Sequence, residues 1–135
     1  MDLARRPQPV TDDRDTAGFW AAAGRGELVV RECGSCGAVL HLPRSYCHVC
    51  GTWSERWKRV GGGGRLSSWT TVEHQVHPAF PVPYTVVLVE LDDEPGVRLV
   101  GYLPGSPALV AGQPMEAWFE ELDDGAVIPQ WRPVS

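Results

Sequence analysis

Four cysteines, the only ones in 135 residues, fall in two knuckles ten residues apart: Cys33-Gly-Ser-Cys36-Gly and Cys47-His-Val-Cys50-Gly. Two residues between thiolates let a tight turn aim both sulfurs at one ion. The glycine after each second cysteine frees backbone N–H groups to turn toward the sulfurs. Four thiolates complete a tetrahedral shell, so Cys33, Cys36, Cys47 and Cys50 are expected to hold one structural zinc with no open catalytic position. A ribbon of about thirty residues has little core of its own, and the metal would supply the folding energy it lacks. The competing readings are two disulfides, unlinked thiols or an iron site. Iron is the strongest of these, because tetrahedral thiolate sites accept both metals. His41 and His48 lie near the knuckles, and with four sulfurs at hand both are expected at the surface or in outer contacts.

The rest of the chain reads as strands joined by tight turns. Fifteen glycines and twelve prolines at this length disfavour long helices. Residues 1–14 carry proline and charge without periodicity and are expected to form a flexible or surface-draped arm. Asp15 or Thr16 can N-cap a short helix through Phe19, Trp20 and Ala23, with Gly24 and Gly26 ending it. Residues 15–60 then hold this helix and the ribbon, with a β-rich segment at 27–32 and an extended one at 53–60. Gly61 to Gly64 read as a linker into residues 61–135, because four successive glycines punctuate structure and no Gly-Lys-Ser/Thr follows to cradle phosphate.

Beyond the glycines lie five strand candidates, at 65–74, 84–91, 97–103, 114–122 and 127–134. Asp92 to Gly96 and Asp123 to Gly125 are the hairpin connections. Five short antiparallel strands suit a small barrel, whose closure removes exposed edges, with a sandwich as the alternative. An OB-fold would place a helix between its third and fourth strands. Here Pro104-Gly-Ser-Pro107 resists one, so a loop or single turn is expected. Trp69, Trp118 and Trp131 are expected in the barrel core or its seam with the ribbon.

Charge narrows the function classes. Residues 1–60 hold nine Lys/Arg against seven Asp/Glu, whereas residues 61–135 hold three against ten. A domain with the second balance repels a phosphate backbone, which argues against a nucleic-acid module despite the ribbon-and-barrel pattern. The longest apolar run, Val86 to Val89, is far too short to cross a bilayer, and no secretory signal is evident. Reduced thiols and this lack of signals point to the cytoplasm and to no membrane role. His74 and His77 flank a proline-rich stretch, but nothing supplies a nucleophile or orienting acid beside them. They read as loop residues, and no catalytic set is found. Phe19 and Trp20, on a helix too short to bury them, are candidates for docking on the ribbon or on a partner protein.

The ordered set of features resembles a known family: the zinc-ribbon/OB-fold acyl-CoA-associated proteins. It comprises the Phe19-Trp20 helix, both cysteine pairs with Pro43-Arg44 between them, Gly64-Arg65-Leu66-Ser67-Ser68-Trp69-Thr70, Pro83-Tyr84-Thr85-Val86 and Val127-Ile128-Pro129-Gln130-Trp131-Arg132-Pro133. His48 departs from the family, which often has proline after the third cysteine. The resemblance implies a mainly β fold: a short N-terminal helix and rubredoxin-like zinc ribbon, then a five-stranded OB-fold barrel. It further implies a non-catalytic accessory subunit in a hetero-oligomer with a thiolase-fold protein subunit. Such partners make or break carbon–carbon bonds in acyl-CoA thioesters, including retro-aldol cleavage of steroid side chains. Under that implication, Arg44, Arg56, Lys58, Arg59 and Arg65, near the ribbon–barrel junction, are the candidates to receive the CoA phosphates.

Overall fold

A computed structural model describes residues 5–135; of the arm expected over 1–14, residues 1–4 lie outside the described residues. Helix α1 spans Ala17–Gly24 with Thr16 at its N-cap. Thr16 and Ala17 both donate their N–H groups to the Asp13 carbonyl, and Gly26 beyond the helix adopts φ +73°. The polypeptide then forms β1 (Leu28–Arg31), crosses the two knuckles and returns as β2 (Trp57–Val60), antiparallel to β1 from Leu28↔Val60 to Arg31↔Trp57.

All four residues of β1 are buried, because both of its faces are covered. Leu28 and Val30 share one core with Val60 and with the second unit's Leu66, Val87, Val89, Leu91, Met115 and Trp131. Ribbon and barrel therefore fold around a common interior, with Phe19 of α1 packed against it.

The second unit is a five-stranded sheet in the order β5-β4-β3-β6-β7, built from β3 (Gly63–Val72), β4 (Tyr84–Leu91), β5 (Arg98–Pro104), β6 (Pro114–Glu121) and β7 (Val127–Pro133). Every pairing is antiparallel. β3 carries a β-bulge between Leu66 and Ser68, and it pairs with β6 only over Gly63–Arg65 before following β4 to Val72. The bulge bends the strand so that one segment serves both flanks of the barrel. The ends of the sheet approach through β5 and β7: Tyr102 N–H donates to the buried Gln130 Oε1 at 2.8 Å, and Gly101 lies against the Trp131 backbone, where a Cβ would sit 3.1 Å from Trp131 N. This is the OB-fold barrel. The segment between β5 and β6 is a loop, as its prolines require.

Two details depart from expectation. The glycine run is not merely a linker. Gly63 and Gly64 open β3, and Gly61 and Gly63 leave room for the carboxylates of Asp93 and Asp92, each 2.9 Å from where a Cβ would stand. Trp69 is 40% exposed and not core, because β3 past Arg65 has left β6 and keeps only β4 as a neighbour. Trp131, by contrast, is fully buried.

Candidate functional site

The two knuckles have the same backbone. Gly37 N–H donates to the Cys33 carbonyl at 2.9 Å, and Gly51 N–H to that of Cys47 at 2.8 Å. Both glycines hold φ near +75°, a conformation that costs a residue with a Cβ. The bridges Glu32↔Val39 and Tyr46↔Trp53 close each knuckle at its base. Ser35 N–H points to Cys33 Sγ at 3.4 Å and Cys50 N–H to Cys47 Sγ at 3.5 Å, the sulfur-directed amides that stabilise bound thiolates.

Across the knuckles, Cys33 Sγ lies 3.6 Å from Cys50 Sγ, and Cys36 Sγ lies 3.7 Å from Cys47 Sγ. A disulfide needs about 2.05 Å, whereas a tetrahedron with Zn–S bonds of about 2.3 Å has edges of about 3.8 Å. All four sulfurs fall within 4.8 Å of one another, and among the described residues no histidine or carboxylate joins the group. The donor set fits a zinc ion with a closed shell. Without a cation the thiols cannot ionise together. Hydrogen bonds from the Thr52 hydroxyl and amide bring Cys50 down to about 6. Cys36 rises to about 12: the Ala38 amide lowers it, but desolvation and three neighbouring sulfurs outweigh that. Cys33 and Cys47 are buried and Cys36 and Cys50 exposed, so the centre sits at the surface on a buried footing. That footing is a small cluster of Cys33, Cys47 and Leu40, with Ala38 against it.

Helix α1 is locked to the ribbon beneath this centre. Arg31 is 1% exposed, lies over the Trp57 ring at 4.1 Å, and donates to the carbonyls of Arg14 and Asp15 at 3.2 and 3.1 Å and to Ser45 Oγ at 3.3 Å. The Asp15 carboxylate accepts from Ser45 N–H at 2.8 Å, and this bond holds its carboxyl below the usual range. The helix approaches through Gly18, whose missing side chain makes room for the Trp57 indole.

The five basic candidates do not form one cluster. Successive residues on β2 leave opposite faces, so Lys58 and Arg59 diverge. Arg56 pairs with Glu32, Lys58 with Glu94 at 2.9 Å, Arg59 with Glu27 at 3.8 Å and Arg65 with Asp92 at 3.9 Å. Arg44 is exposed, forms no ion pair among the described residues, and exerts a coulombic pull on Asp15. Phe19 and Trp20 are half-buried and meet edge to face at 5.0 Å. His77 Nδ1 accepts from Ala79 N–H at 3.0 Å and its ring leans on Phe80, while His74 is exposed. Both are loop residues, and among the described residues no acid or nucleophile is in hydrogen-bond contact with either.

Sequence reasoning missed a tether between the arm and the barrel. Arg6 pairs with Glu120 at 2.9 Å and lies over the rings of Phe80 and Tyr102. Glu120 also accepts from Gln130 Nε2, whose amide oxygen holds β5. These partners are more than a hundred residues apart in part, and no local pattern announces them.

Family models match both units: the rubredoxin-like zinc ribbon domain of ChsH2 over residues 20–53, and the C-terminal OB-fold domain of ChsH2 over residues 57–120. The solved structure of an Ltp2-ChsH2(DUF35) aldolase contains a chain 34% identical to this one, superimposing with a TM-score of 0.81 over 95% of this chain and 98% of that chain. A DUF35 protein of unknown function from Sulfolobus solfataricus, 17% identical, shares the fold with a TM-score of 0.55 over 76% of this chain and 75% of its own. A protein of Thermomonospora curvata named probable enoyl-CoA hydratase alpha subunit is 35% identical over 132 residues, which are 96% of this chain but 40% of that protein. The chain thus spans well under half of that relative's length.

Proposed function

The chain belongs to the ChsH2 (DUF35) family, and on that premise we propose that it is an accessory, non-catalytic subunit of a thiolase-fold enzyme complex acting on acyl-CoA thioesters. The observation that carries the reading is the end-to-end match, at 34% identity, to the chain of an Ltp2-ChsH2(DUF35) aldolase. The site chemistry is in keeping with it. A zinc with four thiolates has no position for substrate, and among the described residues neither loop histidine has a catalytic neighbour.

In this reading the reaction is carbon–carbon cleavage of a β-hydroxyacyl-CoA by the partner, as in steroid side-chain retro-aldol chemistry. Phe19 and Trp20 offer the partner an aromatic edge. The CoA phosphates meet the basic junction at Arg44 first, because Arg56, Lys58, Arg59 and Arg65 already face carboxylates. The test is co-expression with a thiolase-fold protein encoded beside this chain. The two should co-elute in size-exclusion chromatography at a mass above either alone, and independent elution at all concentrations would count against the assignment.

A further inference from the structure

The arm ahead of α1 is fastened to the barrel at one point. Its sequence, Arg6-Pro-Gln-Pro9, lacks two of the N–H groups that strand pairing would need, so a side chain must dock it. Among the described residues, no backbone hydrogen bond joins residues 5–12 to the rest of the chain, and their single ion pair is Arg6–Glu120. Arg6 Nη1 donates to Glu120 Oε2 at 2.9 Å. The guanidinium carbon lies 5.4 Å from the centre of the Phe80 ring and 5.5 Å from that of Tyr102. Both distances fall inside the roughly 6 Å at which a ring face attracts a cation.

The receptor for this guanidinium is built by the barrel and its β3–β4 loop, without the arm. Tyr84 pairs with Pro104, so Tyr102, two residues away, shares its face of the β4–β5 hairpin as a diagonal neighbour. The two tyrosine rings meet at 5.3 Å, and Phe80 from the loop packs on both, at 6.0 and 5.8 Å. By the same period, Glu120 and Gln130 share a face of the β6–β7 hairpin. Gln130 is 4% exposed and uses both ends of its amide between the hairpins. Its Nε2 donates to Glu120 Oε1 at 3.1 Å, and its Oε1 accepts from Tyr102 N–H at 2.8 Å. The carboxylate is thus held from beneath, with Oε2 left for a ligand. An incidental surface ion pair has no such support. Ring faces beside a carboxylate select a flat cation. A guanidinium stacks and hydrogen-bonds at once, whereas an ammonium is a strongly hydrated point charge. The Arg6 and Glu120 side chains are 26% and 25% exposed, so the site is shielded yet open to exchange.

We propose that Phe80, Tyr102 and Glu120, backed by Tyr84 and Gln130, form a guanidinium-binding site whose resident ligand is Arg6. The arm is then a releasable strap with a single clasp. Once the strap lifts, the site takes an arginine side chain presented by a second polypeptide.

The full zinc-loaded chain is followed by NMR. The backbone amides of Gln8 and Val10 report arm order, and the Tyr102 amide and the Gln130 side-chain amide report occupancy of the site. Arg6→Ala should lower the order parameters of Gln8 and Val10 from about 0.85 to below about 0.6 while the barrel amides keep theirs. Arg6→Lys should free the arm equally, whereas a plain ion pair would keep it docked. The peptide acetyl-Arg-Pro-Gln-Pro-amide is then titrated into the Arg6→Ala chain. It should shift the Tyr102 and Gln130 signals saturably, about tenfold more tightly than its lysine counterpart. It should also bind about tenfold more tightly than to the parent chain, whose own Arg6 fills the site. Adding Glu120→Gln to Arg6→Ala keeps an acceptor for Gln130 and should weaken the peptide about tenfold. An arm that stays ordered in either Arg6 variant would overturn the proposal. So would the absence of saturable shifts, equal binding of the lysine peptide, or equal binding to the parent chain. Neither a partner enzyme nor an acyl-CoA enters these measurements, so their outcome is independent of the accessory-subunit assignment.

Discussion

At the residue scale, one position that leaves no room for a side chain is a glycine. Gly18 presents bare backbone to Trp57, and a Cβ there would fall within 2.5 Å of the indole Cε2. The indole in turn carries the guanidinium of Arg31 on its ring, a desolvated cation whose ordinary pKa is lowered by burial. Helix, strand and buried charge therefore share one contact. Gly18→Ala would lower unfolding free energy by about 1–3 kcal/mol through overpacking, despite alanine's better helix propensity. Chemical denaturation measures it, and combining the change with Trp57→Leu should cost less than the sum of the two, because the smaller side chain relieves the clash. A Gly18→Ala protein as stable as the parent would refute this packing.

At the element scale, the knuckles decide whether the ribbon exists. Their local core is two cysteines and a leucine, too little to order the segment without metal. Metal analysis should find one zinc and no iron per chain. Cys47→Ser, which removes a buried ligand, should abolish zinc binding and expose the amides of residues 33–54 to hydrogen exchange, while β4 amides stay protected. Ribbon amides that keep their protection after metal loss would show that the zinc is not the staple. This element was legible from spacing alone, because metal geometry is encoded within four residues of sequence. The position of the strand Tyr84–Leu91 was equally legible, and it buries Thr85, Val87, Val89 and Leu91 fully on one face, with the other face half-buried. The glycine run was harder to read. What Gly61 and Gly63 accommodate is a pair of aspartates about thirty residues downstream, and only the closed sheet brings them together. The arm's tether was not legible at all, since Arg6, Phe80, Tyr102 and Glu120 come from four separate segments with no shared period.

At the scale of the whole molecule, ribbon and barrel are not beads on a string. Leu28, Val30 and Val60 complete the core that Val87, Val89 and Trp131 begin, so loss of zinc should soften the seam as well as the knuckles. Among the described residues, no helix is long and apolar enough to cross a membrane. In the accessory-subunit reading, what the molecule offers a partner is a metal-stapled platform. The decisive measurement is cleavage of a β-hydroxyacyl-CoA by the thiolase-fold partner alone, by this chain alone and by the two together. The accessory-subunit account predicts no turnover by this chain and a rise of about tenfold or more over the partner when both are present. Turnover by the isolated chain, or a partner equally active without it, would contradict the account.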